Sequence, residues 1–277
     1  MHAIPKLTMR LARATRPSRD RRPAGKPRPG RALLAAAVSG GALLMAGVAG
    51  AGAASAATAT SHTAAHPVIY TTSQGGYTAS GRWLRFVATT VKVPAAGPYS
   101  HYAEVVLGGT HVAPVYLAVR AGGGPESVAW SVGVPPFGMG GGALSKVAPK
   151  AGDTVLIDLY YNRSGGDVVA TATDLTTNVT QNFAIGNRTT AIFDAAEVAA
   201  VLKNPASPPP GNVRLWQFTN SAVTTYTGTH GTMTGPWTTS QVFDTTNGGP
   251  SGQLVMSPSF LFNKGADFGA WLRAWLR

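Results

Sequence analysis

The chain has 277 residues, no cysteine and a formal charge of +12. The absence of cysteine excludes a disulfide framework and leaves stability to apolar burial. Ten of the 23 Lys and Arg residues precede position 57 against the single acid Asp20, so the remainder carries 13 bases and 10 acids, scattered and too nearly balanced for a nucleic-acid partner.

The first 56 residues read as a secretory signal peptide. A basic stretch from Lys6 to Arg31 precedes an apolar run at 32–49, and small residues end in Ala54-Ser55-Ala56, an A-x-A exit. Met9 offers an alternative start that leaves a shorter basic region. Arg21-Arg22 lacks the apolar follow-on of a twin-arginine signal, which favours the general secretory route. An uncleaved anchor is the rival reading, since the run is near the minimum span of roughly 17 residues, but its Gly and Ala content suits a span poorly. The expectation is a secreted, extracellular monomer with no stable membrane association after cleavage. Residues 57–74 form a flexible leader, and 75–277 are long enough for one domain with a single core.

From Gly75 the pattern has period two. "GRWLRFVATTVKVP" alternates two sets of side chains up to Pro94, as a strand between two environments does. Further β-like runs lie at 102–107, 112–119, 127–134, 154–161, 168–174, 180–184, 213–218, 222–229 and 254–256. Breaks such as "AGGGPE", "NRSGGD" and "TTNGGPSG" separate them. Many short strands with such punctuation predict an all-β antiparallel sandwich or barrel. Two segments read differently. In "IFDAAEVAAV", Asp194 followed by Glu197 resembles a capping box, "AAEVAAVLK" favours helix, and Asn204-Pro205 would end it. Near the C-terminus, Trp271, Leu272, Trp275 and Leu276 recur at helical spacing, predicting a short amphipathic helix. A docked strand or a membrane-surface helix are its alternatives.

Several chemistries lack their motifs. His101, His111 and His230 lie in separate segments with no H-E-x-x-H, so no metal is expected. There is no G-x-S-x-G elbow, and "GMGGG" completes no nucleotide-binding pattern, so no cofactor is expected. After position 57 there are three glutamates, Glu104, Glu126 and Glu197. No two acids lie two residues apart on one predicted strand, the arrangement that would set the roughly 5 Å carboxyl spacing of a retaining glycosidase.

In order along the chain, a set of individually weak motifs resembles the glutamic endopeptidases, or eqolisins. "GGYTASGRWLRFVATTVKVP" resembles their opening strands. "AEVVLGG" (103–109) falls where the family has A-W-V-G-I-D-G, "LAVRAG" (117–122) at L-Q-T-G, and "AWSVGVPP" (129–136) at A-W-Y-E-W-Y-P. "AGDTVLIDL" and "ATDLTTNVTQNF" resemble a G-D strand and an N-L-T-T-G hairpin. "AAEVAAVLKNP" matches A-E-W-I-V-E-x-P, and "FTNSAV" (218–223) resembles a strand of bacterial members. The chain thus resembles a divergent, secreted bacterial member.

The resemblance implies a bent, concanavalin A-like sandwich of two antiparallel sheets. It also implies a catalytic Glu that activates water and a Gln that stabilises the tetrahedral intermediate. Glu197 takes the place of the Glu and Arg120 that of the Gln, while Glu104, Gly108 and Val132 replace family side chains of the cleft. A guanidinium beside Glu197 would lower its pKa and make it a poorer proton donor. Three functions follow. The first is an altered or non-catalytic relative that binds an extended peptide or polymer on a concave sheet, with Trp130, Tyr116, Glu104 and Arg120 as contacts. The second is an active acid endopeptidase with Glu197 as base and Arg120, or Gln74 in the turn before the first strand, as donor. The third is a carbohydrate-binding module of the lectin or glucanase type.

Overall fold

The computed structural model describes residues 66–71, 74–95, 97, 100–133, 141–186, 191–202, 213–246 and 248–273. The expected signal peptide, the Pro-rich loop at 205–211 and the last four residues lie outside them. In chain order the strands are β1 (Val68–Thr71), β2 (Gln74–Lys92), β3 (His101–Gly109), β4 (Val112–Ala121) and β5 (Ser127–Val132). Next come β6 (Gly141–Ala143), β7 (Thr154–Asn162), β8 (Asp167–Asp174), β9 (Val179–Ile185) and β10 (Phe193–Leu202). The last are β11 (Val213–Thr225), β12 (His230–Gly231), β13 (Thr238–Thr245), β14 (Leu254–Pro258) and β15 (Phe268–Leu272), with one 3-10 turn at Asn263–Gly265. The fold is all-β, as the turn-punctuated pattern predicts.

β2 organises the molecule because both sheets use it. Its first half pairs with β10, which continues through β3, β4 and β5 to β6. Its second half pairs with β7, which continues through β8 to β9. On its other edge β2 meets β11, and the ladder runs β15, β14, β13 and back to the first half of β2, closing a ring. The changeover occurs at a bulge. Between Ser80 and Leu84 β2 spans four residues where β10 spans two, and Trp83 there has φ 65°. Such a bulge bends a strand and raises its local twist.

The core lies between the two layers. Val198 of β10, Val105 and Leu107 of β3 and Leu117 of β4 are fully buried, and so are Val155, Ile157 and Leu159 of β7 and Val168 and Ala170 of β8. Each large aliphatic side chain so buried contributes roughly 1.5–3 kcal/mol.

Two helix expectations are corrected. Residues 193–202 form strand β10, not a helix, because β10 fills the slot between β2 and β3 and supplies ladder partners to both. A helix there would leave two strand edges without hydrogen bonds. The contact is close: a Cβ at Gly76 would lie 2.2 Å from the Val198 carbonyl oxygen, so the small residues of both strands serve packing. Likewise, the described part of the C-terminal segment is strand β15, paired to β11 and β14. Within the segment read as leader, Val68–Thr71 pairs parallel with β13.

Candidate functional site

The register of β2, β10, β3 and β4 decides which side chains share a face. Glu197 of β10 lies opposite Thr78 of β2 on one side and Val106 of β3 on the other. Val106 in turn lies opposite Tyr116 of β4. Glu104 is two residues from Val106, and so on the same face, diagonally across from Glu197. Diagonal neighbours are about 7–8 Å apart at Cβ, within reach of long side chains. Two carboxyl groups therefore meet on this face, although no two acids are close in sequence. The opposite face of the same strands carries Val198, Val105 and Leu117 into the core.

Glu104 is fully buried. The Gln74 side-chain amide donates to its Oε1 at 2.7 Å, and its Oε2 has no hydrogen-bond partner. Glu197 is half-buried as a residue, but its Oε1 is shut off from solvent and unpartnered. Burial pushes the Glu104 carboxyl far above the ordinary carboxylate range, and the charge of Glu197 pushes it further, with Gln74 opposing. Burial raises Glu197 in the same direction, against the hydrogen bond from Thr78. Like charges so close cannot both ionise cheaply, and such a pair titrates as a unit. Glu104, the deeper group, holds its proton longer. Tyr116 is pushed up to about 12 by burial and then by the charges of Glu104 and Glu197, so its phenol remains a hydrogen-bond donor.

An open pocket of about 300 Å³ reaches this face, lined by Val106, Gly108, Gly109, Pro114, Tyr116, Asp194, Ala195 and Glu197. Glu104 does not line it. Thr110 donates to Asp194 Oδ2 at 2.7 Å, which ties the β3–β4 turn to the start of β10 at the pocket rim.

The predicted site residues thus separate. Glu197 and Tyr116 line the pocket, with Glu104 behind them. Arg120 lies opposite Tyr102 and Ser127, four residues beyond Tyr116 and so about 13 Å along the strand. Its Nη2 donates to the Gly123 carbonyl at 2.9 Å and to Ser100 Oγ at 3.4 Å. The guanidinium is committed to these two connections, and the expected Arg120–Glu197 contact does not occur; the Glu197 pKa is correspondingly raised, not lowered. Trp130 faces the other way, packs against the core and stacks on Phe183 with ring centroids 4.4 Å apart. Gln74 is the first residue of β2, not a turn residue. Thr78 is the residue that sequence reasoning missed. Knowing that β10 is a strand beside β2 would have placed it.

No family model matches the chain, and no curated protein does. Among solved structures, scytalido-glutamic peptidase with a transition state analog inhibitor is similar at TM-score 0.56 and 16% identity, covering 75% of this chain and 100% of that one. SCP-B, of the eqolisin family of peptidases in complex with a tripeptide, has TM-score 0.48, 15% identity and coverage of 75% and 100%. Aspergilloglutamic peptidase from Aspergillus niger has TM-score 0.45, 16% identity and coverage of 64% and 99%. The first of these likenesses shows that the chain has an eqolisin-like β fold.

Proposed function

We propose that this protein is a secreted peptide-bond hydrolase with an altered carboxyl site. Glu197 is the general base and acid, Tyr116 donates to the oxyanion, and Glu104 with Gln74 tunes Glu197 from behind. The observation that carries this reading is the diagonal Glu104–Glu197 pair, of which Glu197 lines an open pocket. Arg120 is turned away, so the salt bridge that would argue against catalysis is absent among the described residues.

The step balances as follows. Water oxygen adds to the carbonyl carbon while ionised Glu197 takes one water proton. The carbonyl oxygen becomes an oxyanion that accepts a hydrogen bond from the Tyr116 phenol. The C–N bond breaks as Glu197 gives its proton to nitrogen, leaving an amine, a carboxylic acid and a regenerated carboxylate. A carboxylate whose pKa is raised by burial is a stronger base than an ordinary one, so it takes the proton from water more readily and holds it until the amine nitrogen accepts it. The competent form carries one proton on the pair. Activity therefore rises with pH as Glu197 ionises and falls as Glu104 follows, with the optimum displaced upward from the ordinary Glu value of about 4.3.

The test is cleavage of a denatured protein by the purified protein across pH 3–9. Glu197→Gln is expected to lower kcat by at least about a thousandfold, and Tyr116→Phe by about a hundredfold, the scale of one lost oxyanion donor. Cleavage that survives Glu197→Gln removes the proposal. Peptide binding without cleavage at any pH would instead identify a non-catalytic peptide-binding relative.

A further inference from the structure

A second pocket, of about 220 Å³, lies where β10 begins, lined among others by Trp83, Leu84, Arg163, Ile192 and Tyr226. Four separate segments build it, the entry to β10 at Ile192 among them. Trp83 sits in the β2 bulge, Arg163 in the β7–β8 turn and Tyr226 in the turn after β11. The Tyr226 backbone N–H donates to the Trp83 carbonyl at 2.5 Å, which fixes two of them together. Trp83 adopts φ 65°, a strained conformation for a bulky residue, and is 43% exposed, while Tyr226 is 37% and Ile192 53% exposed. The guanidinium carbon of Arg163 lies 5.4 Å from the Trp83 ring centroid and 5.2 Å from that of Tyr226. Two cation–π contacts hold that group in place. Among the described residues no carboxylate pairs with it.

An immobilised, unneutralised cation beside an exposed apolar wall recognises an anion next to an apolar group. We propose that this pocket is a second docking site for peptide, taking an apolar side chain against Ile192 and Leu84 and the carboxylate of a neighbouring acidic residue at Arg163. A peptide suits it better than a sugar, because the guanidinium lies over the two exposed aromatic rings, Trp83 and Tyr226, on which a sugar would stack. Ile192 lies one residue before β10 and five residues before Glu197 in the chain. The choice of a peptide as occupant rests on the peptide-hydrolase reading.

The test uses the full chain carrying Glu197→Gln, so that peptides are bound and not cut. Two fluorescent octapeptides differing only in a distal Leu-Glu or Leu-Gln are titrated by anisotropy. The acidic peptide should bind about tenfold tighter, the scale of one partly exposed charge-assisted contact. Arg163→Met should abolish that difference and leave the neutral peptide unchanged, with Tm retained as a check on folding. Equal binding of the two peptides by the parent, or an equal loss of both in Arg163→Met, overturns the docking site. So does tighter binding of oligogalacturonate than of the acidic peptide. Absence of cleavage by the Glu197 protein, with the Arg163-dependent preference intact, would overturn the hydrolase reading alone.

Discussion

The two layers of the sandwich treat their faces differently. Along β8 burial alternates residue by residue, and along β7 nearly so: one face joins the core and the other carries Asp158, Thr171 and Thr173. Along β3 seven successive residues are buried, and β10 is buried at most positions on both faces. Each layer also holds acids out of water, with different results. Asp158 is raised to about 7 by burial, with its Thr171 hydrogen bond opposing, and it acts alone. In the β3–β10 layer the two carboxyls are coupled neighbours on one face, and one of them, Glu197, lines a pocket. Burial alone perturbs a group; a second group within reach, together with access for substrate, makes the perturbation usable.

That contrast can be broken first at the core both layers share. Ile157→Ala in β7 and Leu117→Ala in β4 should each lower stability by about 2–5 kcal/mol, read as Tm. If the layers differ as described, the Ile157 variant retains kcat below its Tm, whereas the Leu117 variant, truncated beside Tyr116, also loses activity. Glu104→Gln comes next, with an expected tenfold or smaller loss in kcat and the disappearance of the alkaline limb of the pH profile, since that limb belongs to Glu104. An unchanged limb would show that the two carboxyls are not coupled.

A smaller effect is the dependence of Tm on pH. The folded pKa values of Glu104, Glu197, Asp158 and Asp244 lie above their unfolded values, the last at about 7 through burial. The fold therefore binds more protons than the unfolded chain between about pH 4 and 7, and stability falls as pH rises through that window. His101, lowered to about 4 by burial, acts oppositely and loses stability as pH falls from about 6.5. Four acids against one histidine predict a Tm higher by roughly 5 °C at pH 5 than at pH 7.5, and Asp158→Asn should flatten part of that slope. The smallest expected effect is Arg120→Gln, which should leave kcat/KM within about threefold because the guanidinium bonds to Ser100 before β3 and Gly123 after β4. A loss beyond tenfold would restore Arg120 to the site.

The same difference between layers explains what could be read from sequence. Strands with one wet face, such as β7 and β8, show their period in the residue pattern. So does β2, apart from the bulge at Trp83. β10 is buried on both faces and built from Ala and Val, so its period vanishes and local propensity points to helix; the neighbours on either side decide otherwise. Glu197 was legible through a motif order that resembles a family, and Tyr116 only as a candidate contact of the concave sheet which that resemblance implies. The Glu104–Glu197 pairing was not, because it depends on the β3–β10 register across about ninety residues of chain, which no local pattern encodes. Arg120 was placed by position alone, and its side chain follows the nearest carbonyl and hydroxyl acceptors.

The shared strand β2 has a kinetic corollary. Its partners β7, β10, β11 and β13 are all synthesised after it, and Gln74 waits for Val201. Ladders closed over such sequence separations assemble slowly. A growing chain lacking β10 and β11 cannot complete either layer. Collapse into the native state thus belongs to the nearly finished polypeptide, and a chain threaded through a translocation pore would still be extensible when it arrived on the far side.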